Sequence, residues 1–163
     1  MKNFLRQKLV DPIIGLLSQG ITPRKIALSL AFGIVLGIFP ILGTTTVLCT
    51  VAALAWRLNM VAIHTVHFAI MPVQLLLIIP FVRVGERIVL APPQSLSMDA
   101  GLELMAASAG HAIVVLWDAI VHAVIGWLAI GPIAIYFLYR AFTPILRHAA
   151  LTLRQPAVDR PPV

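Results

Sequence analysis

Charged positions divide this chain into long apolar stretches. One uncharged run of 31 residues extends from Ile26 to Trp56, one of 25 from Leu58 to Val82, and one of 21 from Ala119 to Tyr139. A helix that crosses a bilayer needs about 20 predominantly apolar residues. Lipid offers no hydrogen bonds to a bare backbone, so apolar runs of this length read as helices. The pattern therefore predicts an all-α integral membrane protein.

The first run is too long for one span and is interrupted in its middle by Phe39-Pro40-Ile41-Leu42-Gly43-Thr44-Thr45-Thr46. Pro40 lacks a backbone donor and disfavours helix at Phe39, Gly43 permits a turn, and Thr44 or Thr45 can cap a new helix. Each arm would be about 18–21 Å long, short of the roughly 30 Å hydrocarbon layer. The expectation is a re-entrant hairpin over 23–56, built from two half-helices; one long tilted helix kinked at the proline is the alternative. Thr22 as N-cap and Pro23 at the first helical position mark its start.

The remaining elements follow from the same periodicity. Leu5, Leu9, Ile13, Leu16 and Leu17 predict an amphipathic surface helix over 3–18. A span is expected over 60–82, bent at Met71-Pro72, and a short amphipathic helix over 97–108. The last span, 111–139, has Trp117 at one end and Tyr136 and Tyr139 at the other, about 29–33 Å apart along a helix, as two interfacial aromatic belts require. Arg140 anchors its end. A second surface helix is expected over 141–154 and a disordered tail over 155–163, which leaves one membrane domain over 1–154.

Composition agrees: 60% of the 163 residues are hydrophobic and 11% charged, with a mean hydropathy of +0.99. A soluble domain carries about 25% charged residues. The lone Cys49 can form no intrachain disulfide. The net charge of +6 suggests nucleic acid until its placement is considered. Residues 1–25 hold five Lys/Arg against one Asp, residues 140–163 hold four Arg against one Asp, and the connection 83–117 is slightly acidic. Basic ends are a positive-inside signature, with both termini cytoplasmic and near anionic lipid, and with no nucleic-acid role. Two cytoplasmic ends need an even number of crossings, so one of the three runs must return, and the broken one is the candidate. A cleavable signal peptide is not expected, because Asp11-Pro12 interrupts the apolar stretch after Lys2, Arg6 and Lys8.

Thr22-Pro23-Arg24-Lys25-Ile26-Ala27-Leu28-Ser29, then Gly33 through Pro40 to Gly43, then Arg57-Leu58-Asn59 resemble a family of bacterial membrane proteins catalogued as domain of unknown function "twenty sixty-two". The resemblance covers roughly residues 10–150. Of the family's later pattern, Pro72 and Gly85 match, while Met71 stands where the family tends to have Asn and Gln74 where it tends to have Thr. The resemblance implies a bacterial inner-membrane location and no particular activity.

Candidate chemistry is sparse. Pro40, Gly43, Thr44, Thr45 and Thr46 form the leading ligand site, because a half-helix starting there points unpaired N–H groups into the membrane and favours an anion; capping alone is the plainer reading. Ser29, Gly33 and Gly37 make a small-residue stripe that lets helices approach closely, within the chain or between copies. His111, Asp118 and His122 share one helix face and suggest a proton relay or an interfacial polar cluster. Arg57 and Asn59 read as an interfacial half-helix end. Metal binding would need His64, His67 and His122 to converge. There is no nucleophile, phosphate-loop or dinucleotide motif, so no enzyme activity and no cofactor are implied. The function that follows is binding or translocation of a small anion or lipid head group at the broken helix, in a homo-oligomer or with a membrane-protein partner. A non-transporting assembly or scaffold subunit is the rival.

Overall fold

The computed structural model describes residue 15, residues 21–93 and residues 109–154, with side chains over 21–93 and 116–151. The helices expected over 3–18 and 97–108 and the tail 155–163 lie outside the described residues, apart from Gly15, which is helical. Four long helices make up the described fold: α1 (Pro23–Gly37), α2 (Thr45–Ala55), α3 (Met60–Ile88) and α4 (Ala109–Arg154).

Local signals account for most of the ends. Thr22 sits at the N-cap of α1 in an extended conformation, followed by Pro23. Its carbonyl accepts from the N–H groups of Lys25 and Ile26, but its side chain caps nothing. The first uncharged run is two helices, not one kinked helix, because residues 38–44 leave helical geometry. Helix α2 ends with Arg57 at φ 50°. The Leu58 N–H reaches the Ala53 carbonyl at 2.8 Å and the Arg57 N–H reaches Leu54, a Schellman closure with arginine where glycine is usual. Asn59 then starts α3, its Oδ1 accepting from the Ala62 N–H at 2.8 Å.

The chain folds back at the break. Phe32 on α1 meets Trp56 beyond the end of α2, ring centroids 5.2 Å apart. Ser29 lies beside Asn59: its Oγ accepts the Asn59 N–H at 2.8 Å and donates to the Lys25 carbonyl at 2.8 Å. Thus α1 and α2 form an antiparallel hairpin, and α3 sets off alongside α1. Replacing Ser29 by alanine strands a part-buried amide, and the expected loss is about 1–3 kcal/mol. Thermal unfolding in detergent reads it as a lower Tm; an unchanged midpoint would remove the serine as the tie between α1 and α3.

Gly33 and Gly37 lie against α3. A β-carbon at Gly33 would stand 2.6 Å from the Ile63 carbonyl oxygen, and one at Gly37 would meet Ile70 and His67. The small-residue stripe is therefore used inside the chain. Helix α4 runs antiparallel to both: Gly126 faces Phe81 and Gly85, and Leu146 joins Ile26, Ala27, Leu30, Ala62 and Val66 at the other end.

Two boundaries differ from expectation. Helix α3 continues through Pro72 and Pro80 to Ile88, six residues beyond the expected span. The span 111–139 and the surface helix 141–154 are one helix. Pro144 does not break it, because the carbonyl it deprives belongs to Arg140 and both residues are exposed. The buried Leu146 also holds this segment against α1 instead of leaving it on a surface. Two stretches are long and apolar enough to cross a membrane, Met60–Ile88 and Leu116–Leu151.

Candidate functional site

The break between α1 and α2 has two ends with opposite polarity, and the protein treats them differently. At the carbonyl end, Pro40 has no N–H, so Leu36 accepts from Phe39 at 3.2 Å and Ile34 from Ile38 at 3.1 Å. The Val35 carbonyl takes the indole N–H of Trp127 from α4 at 2.9 Å. The Phe39 carbonyl takes the Gln74 amide from α3 at 2.7 Å. Gln74 is 1% exposed and Phe39 half-buried, so a buried side chain closes this carbonyl. The Phe39 ring stands edge-on to Trp127, centroids 4.9 Å apart.

At the amide end, the helical ladder of α2 opens with the Leu48 N–H on the Thr44 carbonyl at 3.0 Å. The amides of Thr45, Thr46 and Val47 precede that ladder, as at any helix start. No side chain caps them. Thr44 is the N-cap, but its hydroxyl donates backward to the Ile41 carbonyl at 2.9 Å. Gly43 supplies the turn at φ 85°, with open space around it. Glycine is needed there for its backbone and not for want of room.

Two threonine–histidine pairs then join α2 to α3. Thr46 Oγ1 and His67 Nε2 are 3.2 Å apart, as are Thr50 Oγ1 and His64 Nε2. The Thr50 hydroxyl gives its single hydrogen to the Thr46 carbonyl at 2.9 Å. The hydrogen shared with His64 therefore comes from the histidine Nε2. Nδ1 of both histidines is buried without a partner. Spacing alone places 46 with 50 and 64 with 67 on their helix faces, but not the pairing between them.

The other predicted residues fall elsewhere. Pro40 and Thr45 are buried at the break and Thr46 is on its exposed side. Trp117 and Tyr136 are exposed along α4, Tyr139 is half-buried and Arg140 exposed. Asp118 is exposed and His122 buried, with its Nδ1 unpaired, while the side chain of His111 lies outside the described residues. His122 belongs to the α3–α4 crossing beside Gly85, and His64 and His67 to the α2–α3 seam. Among the described residues no three His, Cys, Asp or Glu group as metal ligands. Arg83 pairs with the buried Glu86 at 2.9 Å near the end of α3.

The family model DUF2062, described as an uncharacterized protein conserved in bacteria, matches residues 7–152. The chain belongs to this family. The match takes in all of α1, α2 and α3 and nearly all of α4. Neither a curated protein nor a solved structure matches it. Of the residues through which the sequence resembles the family, Pro40 and Gly43 form the break, Asn59 caps α3 and Gly85 permits the α3–α4 crossing. Sequence reasoning missed Trp127 and Gly126. The available signal for Trp127 was its position inside an apolar run, away from either interface, where an indole N–H needs a partner.

Proposed function

We propose that this chain is an integral protein of the bacterial inner membrane that binds, and in an assembly translocates, a small anion or a lipid head group at the α1–α2 break. In this reading both termini are cytoplasmic, α3 and α4 cross, and the hairpin enters from the cytoplasmic side and turns back. At 15 and 11 residues, α1 and α2 are about 22 and 16 Å long, so neither arm crosses a hydrocarbon layer of about 30 Å.

Support for a membrane comes from where the apolar residues lie. Only 28% and 22% of the two span windows are buried in the protein. Leu75, Leu76, Leu128, Ile133 and Phe137 all face outward, and exposed apolar surface on that scale needs a partner or lipid. Support for the anion comes from the unequal treatment of the break. Its carbonyl end is closed by Trp127 and Gln74, whereas its amide end carries no cap and no acidic side chain in the first turn. A helix start of that kind attracts negative charge. Two crossings enclose no path alone, so transport in this reading needs a second copy or another membrane protein.

Reconstituted protein tests this directly. Flux of phosphate or chloride, and flip of a labelled phospholipid, should fall in Thr44→Ala/Thr45→Ala/Thr46→Ala relative to wild type. Equal flux would end the role of the break. For topology, single cysteines at positions 42, 58 and 93 in a Cys49→Ser background should place 58 on the side of the N-terminus. Labelling of 58 from the opposite side would overturn the hairpin.

A further inference from the structure

The strongest unassigned feature lies far from the break, where the start of α1 meets the last turns of α4. An open cavity of about 570 Å³ is lined by Arg24, Arg140, Arg147, His148, Tyr139 and Thr143, with Pro144 and Leu151. A second hollow of about 260 Å³ adjoins it across Arg147 and Leu151 and adds Pro23 and Ala150. Positions 140, 143, 147 and 151 are three or four apart and so form one face of α4. Continuity of α4 past residue 140 creates this wall, since a chain that turned aside there would not carry Arg147 beside Arg24.

The charge is one-sided. Three guanidinium groups face the larger hollow, and among the described residues no carboxylate lines it. Among the described residues none of these three arginines has an ion-pair partner. Like charges gathered without counter-charge repel, and an anion relieves that repulsion. Guanidinium is planar, always charged and matched in geometry to phosphate oxygens. The adjoining hollow, with Pro23, Ala150 and Leu151, is mostly apolar. A cationic hollow merging into an apolar one fits a ligand that carries phosphate at one end and hydrocarbon at the other.

We propose that this groove is a binding site for the phosphate head group of an anionic phospholipid, with the start of an acyl chain lying toward Pro23 and Leu151. The site is separate from the α1–α2 break and rests only on the chain being a membrane protein. Basic hollows between helices on the cytoplasmic side of membrane proteins suit such head groups. Arg24 and Arg147 close on the phosphate from α1 and α4, and Arg140 completes the positive wall.

Binding to purified protein in neutral detergent, read by native mass spectrometry, tests the assignment. Phosphatidylglycerol should bind at least ten times more tightly than phosphatidylcholine. Arg24→Gln/Arg140→Gln/Arg147→Gln should lose on the order of 100-fold in affinity for phosphatidylglycerol, at about a tenfold step per 1.4 kcal/mol and about 1 kcal/mol per arginine. Arg87→Gln, at the opposite end of the bundle, should leave it unchanged. Should the triple variant not fold, Arg147→Gln alone, which touches both hollows, should weaken binding several-fold. Equal affinity for the two lipids, or equal loss in Arg87→Gln, overturns the site. Glycerol phosphate binding as tightly as the lipid overturns the lipid assignment in favour of a free phosphate ester. Protein that purifies without any membrane fraction or detergent refutes the membrane reading instead, so the two failures are distinguishable.

Discussion

Gly85→Leu is expected to abolish accumulation of folded protein. A β-carbon at Gly85 would run into the main chain of His122, and one at Gly126 into the Phe81 carbonyl, with the Gly85 nitrogen 3.0 Å away. The two glycines face each other where α3 crosses α4, and each obstacle is backbone, which cannot rotate aside as a side chain can. Overpacking ordinarily costs about 1–3 kcal/mol and occasionally more. Here the helices must part along their whole contact, so the expected cost is more than about 3 kcal/mol, against a total stability of about 5–15 kcal/mol. Fluorescence-detected size exclusion of the detergent extract should show loss of the monodisperse peak. Gly43→Ala is the comparison: it stands at φ 85° in open space and should cost only about 1–2 kcal/mol for the left-handed backbone. A Gly85→Leu protein with native elution and unchanged Tm would refute the crossing.

The second large effect concerns the carbonyl end of the break. Gln74→Met and Trp127→Phe each keep most of the side-chain volume and remove the one donor that serves a carbonyl. Each should cost about 1–3 kcal/mol for an acceptor left bare, the larger loss at the buried Val35 carbonyl and the smaller at the part-buried Phe39 carbonyl. Phe39 gives its carbonyl to Gln74 and packs its ring on Trp127, so the two sites are coupled, and the double variant should lose more than either single variant without equalling their sum. Thermal or denaturant unfolding in detergent measures it. Near-zero loss in the double variant would mean that these carbonyls find other donors, and the contrast between the two ends of the break would disappear.

The sequence revealed the break and its neighbours because those features are local. Pro40, Gly43, the Thr22-Pro23 start and the small stripe each act within a turn or two of chain, where proline, glycine and spacing have direct conformational meaning. Ser29 was legible as small, but not as the acceptor for the Asn59 amide, because that bond spans 30 residues. Thr44, Thr45 and Thr46 were legible as a group. Which hydroxyl turns back to Ile41 and which meets a histidine depends on where α3 passes, and no pattern in α2 encodes that. Continuity of α4 escaped notice because Arg140 and Pro144 both resemble stop signals. Burial of Leu146 against α1 overrides them, and that partner lies more than a hundred residues earlier. Trp127 looks like any apolar residue until its acceptor is known.

The bond from Trp127 to the Val35 carbonyl joins positions 92 apart, and that distance has a consequence for synthesis. A chain made from its N-terminus presents the hairpin long before the indole that completes it exists. Gln74, 35 positions beyond Phe39, arrives sooner, so the broken turn acquires its donors in two instalments. During the interval the Val35 carbonyl lacks the donor it has in the finished fold, so closure of the carbonyl end of the break becomes one of the last events in making the molecule.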